Sequence, residues 1–295
     1  MRSSQSTYVS IRGLQYHVRT WGDPGARKVF LLHGWMDVSA SFQFLVEALE
    51  GRWHVLAPDW RGFGLSAVPQ DGYWFPDYVA DLDALARALA PGEKIELVGH
   101  SLGANVAMLY AGVRPEQVAH VVALDGFGVP EDPPSSAPRK LAAWLDSLVA
   151  APSFAAYPDL AAVADRLQKN NRRLTRDKAE FLAPHWAEVM PDGTAKLRAD
   201  PKHKLPFPGT YRIEDTFAIW RKISAPVLWL AAAESFIGRW LAGTGDAVTE
   251  IARRHAQVPN GRVITIADAG HMVHHDQPYA VARHLENFLE RDSRT

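Results

Sequence analysis

Cysteine is absent from the 295 residues. Its absence excludes disulfides and thiolate metal sites and leaves the redox compartment open. Long hydrophobic runs are missing too: no stretch of ~18 apolar residues occurs, so no membrane span is expected. Charge of one sign is equally scarce, with 32 Lys and Arg against 33 Asp and Glu for a formal net charge of −1. Nowhere do Lys and Arg cluster as a nucleic-acid surface requires, so that partner class is disfavoured. The opening MRSSQSTYVSIRG holds one early Arg and no apolar stretch, which is not the pattern of a secretory signal. The expectation is a soluble cytoplasmic protein that takes a small-molecule substrate and has no nucleic-acid or membrane partner. What the chain does have is 47% apolar content over a length suited to one large domain, or a domain carrying an insertion.

The pattern of apolar residues changes early. Val9 and Ile11 alternate with polar residues, Gly13 punctuates, and Tyr16 and Val18 resume the alternation up to Trp21, as in an antiparallel pair. After the turn Asp23-Pro24-Gly25 the strands become short, near-continuous apolar runs: Val29–Leu32, Val55–Ala57, Ile95–Val98, Val121–Leu124, Val227–Leu230 and Val263–Ile266. Such runs fit strands covered on both faces, hence a parallel sheet. Helical spacing separates them, with Leu102, Val106, Leu109, Tyr110 and Val113 on one face and Val281, Leu285, Phe288 and Leu289 on another. The fold class that follows is α/β: a doubly wound, mostly parallel sheet with function at the C-terminal ends of its strands.

One region breaks the alternation. Between Gly128 and Lys222 no convincing strand is read. Amphipathic stretches appear at Leu141, Trp144, Leu145 and Leu148 and at Phe181, Trp186 and Val189. The interval is too long for a plain crossover. It predicts a helical cap at 128–222, inserted into a core made of 1–127 and 223–295. Its aromatics either face a pocket or form a small core of their own.

Gly99-His100-Ser101-Leu102-Gly103 matches G-x-S-x-G, with an apolar strand running in and an amphipathic helix running out. That setting marks a nucleophile elbow at Ser101, where a mere helix-capping serine is the plain alternative. A serine hydroxyl needs a base, and that base needs an orienting acid. His271 comes late in the chain, just after the run Val263–Ile266, as the order serine, acid, histidine requires. His274 and His275 follow it closely, but no matching set of ligands elsewhere supports a metal site, so no metal is expected. His33 and His100 are read as packing and hydrogen-bonding residues, and His17, His54 and His120 as taking no part in chemistry. Two amide donors are needed for the oxyanion, and the backbone N–H groups of Trp35 and Leu102 stand in the right places.

Taken together, His33-Gly34-Trp35, the stretch Asp59-Trp60-Arg61-Gly62-Phe63-Gly64-Leu65-Ser66, Gly99–Gly103 and Gly270-His271 resemble the α/β-hydrolase superfamily over nearly the whole chain. The resemblance implies an eight-stranded sheet, a Ser–acid–His triad, an acyl-enzyme and no cofactor. The serine disfavours the dehalogenases and epoxide hydrolases of this fold, which carry aspartate at the elbow. One departure stands out. Where family members usually place Gly-x-x-Asp after the strand that follows the cap, this chain reads Ala232-Ala233-Glu234-Ser235, with serine at the aspartate position. Asp125, at the end of the strand after the elbow helix, is the preferred acid, and Glu234 is the alternative. Certain polyketide thioesterases and cofactor-free ring-cleaving dioxygenases of the family use that earlier strand.

The function expected is hydrolysis of a carboxylic ester or thioester through an acyl-enzyme on Ser101, with His271 as general base. A cofactor-free dioxygenase acting on a hydroxylated N-heteroaromatic is the second reading. A non-catalytic ligand receptor on the same fold is the third, and an intact Ser–acid–His set argues against it.

Overall fold

The computed structural model describes residues 1–291. Its strands in chain order are β1 Gln5–Ile11, β2 Leu14–Gly22, β3 Arg27–Leu32, β4 Trp53–Pro58, β5 Ile95–His100, β6 Val118–Leu124, β7 Ala187–Val189, β8 Ala195–Leu197, β9 Val227–Ala232 and β10 Gly261–Ile266. Eight of them form one sheet in the order β1-β2-β4-β3-β5-β6-β9-β10. The pairs β1–β2 and β2–β4 are antiparallel, and every pairing from β4 across to β10 is parallel.

The apolar runs are strands because each buries both faces. Phe30, Leu32, Leu97, Val121, Ala123, Val227 and Trp229 point into one core cluster. Their neighbours Val29, Leu31, Val98, Val122, Leu124, Leu228 and Leu230 point into another. The period of two divides each run between two layers of helices. The helices Phe75–Leu89, Leu102–Val113 and Ile213–Trp220 cover the first face, and Gln43–Ala48 and Pro278–Arg291 the second. Only β10, at the sheet edge, leaves Val263 exposed.

The helix Leu102–Val113 is buried more widely than a single stripe: Ala104, Val106, Ala107, Met108, Tyr110 and Ala111 all lie in the core, while Val113 is exposed. Small residues let this helix sit deep against the sheet. A Cβ on Gly103 would stand 2.0 Å from the Leu32 carbonyl oxygen, so only glycine fits there.

Between β6 and β9 the chain forms the helices Ala137–Val149, Leu160–Asn170, Arg176–Trp186 and Ile213–Trp220. It also forms a short antiparallel hairpin, β7–β8, where the sequence reading expected no strand. Pro191-Asp192-Gly193-Thr194 makes its turn, with Gly193 at φ 84°. An Asp-Gly turn is the signal that marks such a hairpin. Val189 therefore lies in β7 and not on the helix of Phe181 and Trp186.

Val163, Ala164, Leu167, Leu174, Ala179 and Leu182 make a separate small core with Phe44, and Phe181 and Trp186 pack against it. By contrast, the helix Ala137–Val149 buries no residue, and Leu141, Leu145 and Leu148 are exposed. Its apolar stripe has the spacing of a packed helix and faces outward. The last helix of the stretch, Ile213–Trp220, packs on the elbow helix, where Gly112 meets the Ile219 backbone. No helix among the described residues is long and apolar enough to cross a membrane.

Candidate active site

At the end of β5 the chain turns sharply into the helix Leu102–Val113. Ser101 occupies the joint at φ 51° and ψ −110°, a region that residues with a Cβ rarely adopt. Its amide donates to the Leu124 carbonyl at 3.1 Å, which ties the joint to the end of β6. Although Ser101 is the N-cap residue, its side chain makes no capping bond, so the hydroxyl is not spent on the helix. The loop after β3 runs directly over it: a Cβ on Gly34 would stand 3.3 Å from Ser101 Cβ. Leu102 opens the helix, and Trp35 follows Gly34 with its indole exposed. Among the described residues neither of their amides donates a hydrogen bond. Both flank the serine, where the helix N-terminus adds its positive end.

Asp125 is the first residue past β6, at φ 48°, and its carboxylate is buried. Its amide donates to the Leu230 carbonyl at 2.9 Å, so β9 fixes its backbone. The Ala232 amide donates to Oδ1 at 3.1 Å. On the other oxygen, Oδ2, it accepts two bonds, one from His271 Nδ1–H at 2.7 Å and one from the Ser235 hydroxyl. The structure therefore brings Asp125 and His271 into direct contact. Ser235, the residue at the family's usual aspartate position, is a donor to the acid. The sequence reading missed that role, and the serine-for-aspartate departure was its only trace.

Glu234 points elsewhere. It forms an ion pair with Arg173, its side chain is 53% exposed, and its amide donates to the Ala269 carbonyl.

His271 sits in the turn after β10, with its side chain 20% exposed. Three bonds hold the turn. The Gly270 amide donates to Asp276 at 2.8 Å, Asn171 from the inserted stretch donates to the same carboxylate at 2.8 Å, and His100 Nε2–H donates to the His271 carbonyl at 2.9 Å. The Phe236 ring packs edge-on at 5.1 Å from the imidazole and is otherwise exposed. Among the described residues no hydrogen bond joins Ser101 to His271. Catalytic bonds of this kind are commonly long before substrate binds.

His33, His275, His17 and His120 are each held by local partners. His33 accepts the Trp60 amide on Nε2 at 2.8 Å and donates from Nδ1 to the Gly34 carbonyl, and burial pushes its pKa down to about 4. His275 bonds to Ser41, and burial pushes it down to about 3. His17 bonds to Asp59 at 2.7 Å. Burial alone would raise the Asp59 carboxyl, but the bond to His17 holds it below the usual carboxylate range. The Asp59–Ser66 stretch is thus scaffolding, with Asp59 also accepting the Ser39 and Leu65 amides. His120 bonds to Glu96 in the sheet. His100, His274 and Asp37 share a buried pocket behind the serine, and burial there raises the Asp37 carboxyl to about 7.

A family model described as alpha/beta hydrolase fold matches residues 28–278. The chain belongs to the alpha/beta hydrolase family. Among its curated relatives the chain is 42% identical over 112 residues to a serine hydrolase-like protein of Danio rerio, a match spanning 37% of this chain and 34% of that protein. It is 28% identical to the 2-(acetamidomethylene)succinate hydrolase of Mesorhizobium japonicum, over 97% of this chain and 95% of that one. A solved structure of a hypothetical protein from Pseudomonas aeruginosa PAO1 superposes with a TM-score of 0.84 at 26% identity, covering 98% of this chain and 99% of that one.

Proposed function

We propose that this alpha/beta hydrolase cleaves a carboxylic ester or thioester through an acyl-enzyme on Ser101. The observation that carries the reading is the 2.7 Å bond between His271 and Asp125, on the rim where Ser101 holds a strained joint with its hydroxyl unspent. Asp125 fixes the proton on Nδ1 of His271, which leaves Nε2 free to accept the serine proton. Ser101 Oγ then attacks the acyl carbon, and the oxyanion is held by the Trp35 and Leu102 amides. His271 returns its proton to the leaving alkoxide or thiolate. Water, deprotonated by the same imidazole, attacks the acyl-serine, and His271 gives that proton to Ser101 Oγ as the acid leaves.

The surroundings favour an apolar acyl or alcohol group. Phe236 offers an exposed ring beside His271, and Trp35, next to the Gly34 that runs over Ser101, exposes its indole. Labelling by a fluorophosphonate probe tests the nucleophile, and a p-nitrophenyl ester series of increasing chain length tests the apolar preference. Failure of the probe to label Ser101, with no ester turned over, overturns the reading.

The Asp125–His271 pair also keeps the dioxygenase alternative in view, because a histidine–acid base on that strand is what it needs. An oxygen electrode separates the two. Uptake with a hydroxylated heteroaromatic, lost in His271→Ala and kept in Ser101→Ala, decides for the dioxygenase; no uptake is expected.

A further inference from the structure

Three segments of the catalytic rim each send one buried side chain to a common point behind the triad. Asp37 comes from the loop after β3, His100 from the last position of β5 and His274 from the segment after β10. Their ligand-type atoms all lie within 4.8 Å of one another. The three residues are 4%, 2% and 0% exposed. Asp37 Oδ2, His100 Nδ1 and both ring nitrogens of His274 have no hydrogen-bond partner. Buried polar atoms are nearly always paired, so three unpaired ones meeting here, one from each residue, call for a shared partner.

The hydrogen bonds already made decide what kind of partner. His100 Nε2 stands 2.9 Å from the His271 carbonyl, which can only accept. The proton is therefore on Nε2, and Nδ1 presents a lone pair inward. This is the arrangement of metal-bound histidines, whose second ring nitrogen donates to a carbonyl or carboxylate. Asp37 is half used in the same way, since Oδ1 accepts the Val38 amide at 2.9 Å while Oδ2 faces the cluster. Ser41 and the unpartnered Trp186 indole N–H face the same carboxylate and can support it. His274, with neither ring nitrogen engaged, is free to take the tautomer that turns a lone pair to the cluster, and one cation then serves all three acceptors.

We infer that Asp37, His100 and His274 form a binding site for a divalent transition metal of the zinc class. Two imidazoles and one carboxylate are a donor set of that class. Zinc bonds of ~2.0–2.1 Å put ligand atoms roughly 3.3–3.4 Å apart, so binding must draw together three side chains whose ligand atoms lie within 4.8 Å of one another. No triad residue is a ligand. The metal clips together the segments that carry Trp35, Ser101 and His271, and hydrolysis proceeds without it. The sequence pointed only to the neighbouring pair His274 and His275, whereas His275 turns away to Ser41.

The test uses the full-length chain without a histidine tag, stripped with EDTA and titrated calorimetrically with zinc chloride. We expect one zinc per chain and a zinc-dependent rise in Tm, since a metal bound only by the folded state stabilises it. Asp37→Asn and His274→Gln should each weaken binding about tenfold or more and abolish the rise, while His284→Gln, in the C-terminal helix, leaves both intact. No binding at ~100 µM zinc, where a site with micromolar Kd is nearly full, or wild-type binding in both Asp37→Asn and His274→Gln, overturns the site. Should either variant fail to fold, a zinc-soaked wild-type crystal decides instead. An anomalous peak among the three residues supports the site, and peaks only elsewhere overturn it. None of these readouts depends on ester hydrolysis.

Discussion

Replacing Asp125 by asparagine is the sharpest probe of the triad, because the side chain keeps its shape and loses one specific ability. Oδ2 accepts both His271 Nδ1–H and the Ser235 hydroxyl, and Oδ1 accepts the Ala232 amide. An asparagine NH2 in place of either oxygen turns an acceptor towards a donor. If it faces His271, the imidazole is driven to the tautomer with its proton on Nε2, which cannot take the serine proton. If it faces Ala232, a buried amide loses its acceptor, costing ~1–3 kcal/mol of stability.

A base held in the wrong tautomer costs up to ~10⁴ in kcat, or about 5.4 kcal/mol of transition-state stabilisation at ~1.36 kcal/mol per decade. The assay is kcat on a p-nitrophenyl ester, with Tm recorded for each variant so that unfolding is not mistaken for lost catalysis. Glu234→Gln is the control, since its carboxylate pairs with Arg173 at the surface, and its kcat should stay within a few-fold of wild type. Asp125→Asn within about tenfold of wild type, beside a large loss in Glu234→Gln, would mean the acid works from the other strand.

Ser101→Ala should lower kcat by roughly 10⁴–10⁶ and abolish fluorophosphonate labelling, with Tm nearly unchanged because the joint loses only a hydroxyl. Near-normal turnover would rule out an acyl-enzyme. The double variant Asp125→Ser/Ser235→Asp exchanges carboxylate and hydroxyl and should recover at least about tenfold over Asp125→Asn, because misorientation of the base accounts for most of that variant's loss. No recovery would show that β6 alone can position the acid. Acid should destabilise the fold before it touches most carboxylates. His33 is held neutral down to about pH 4 and His203, stacked on Phe63 and Tyr73, down to about 3, both by burial, while an unfolded histidine protonates near ~6.5. The unfolded chain therefore takes up protons that the folded chain refuses. Their contribution is complete above pH ~6.5 and is lost as pH falls towards 4 and 3. Tm should drop steadily from pH 6.5 to 4, and less so in His203→Phe. A flat profile over that range would contradict the burial argument.

The sheet and the elbow were legible because their causes are local. A strand covered on both faces must be apolar throughout, and a strained strand-to-helix joint must be flanked by glycine, so Val121–Leu124 and Gly99–Gly103 announce themselves. The choice between Asp125 and Glu234 was not local. It turns on the positive φ of Asp125 and on the Ala232 and Ser235 donors, which reach it from β9 and the turn that follows. The helix Ala137–Val149 misled in the opposite sense, since its spacing of leucines is that of a packed helix and its stripe is left uncovered. Asp37, His100 and His274 were invisible as a group. They lie on three separated segments, and only the crossovers of the sheet bring them together.

Ser101 and Asp125 stand at the ends of adjacent strands joined by the helix Leu102–Val113 and a short 3-10 turn, and the whole stretch 128–222 comes after both. Ser101 and Asp125 are thus registered to each other by β5–β6 pairing and by the bond from the Ser101 amide to Leu124. A chimera that exchanges residues 128–212 for a foreign segment leaves that half of the machinery untouched. It must preserve the ties from that stretch to the histidine segment and the core, among them Asn171 to Asp276, Lys178 to the His275 carbonyl and the Arg173–Glu234 ion pair. The stretch can thus be exchanged as one continuous segment, while Ser101 and Asp125 stay with the recipient.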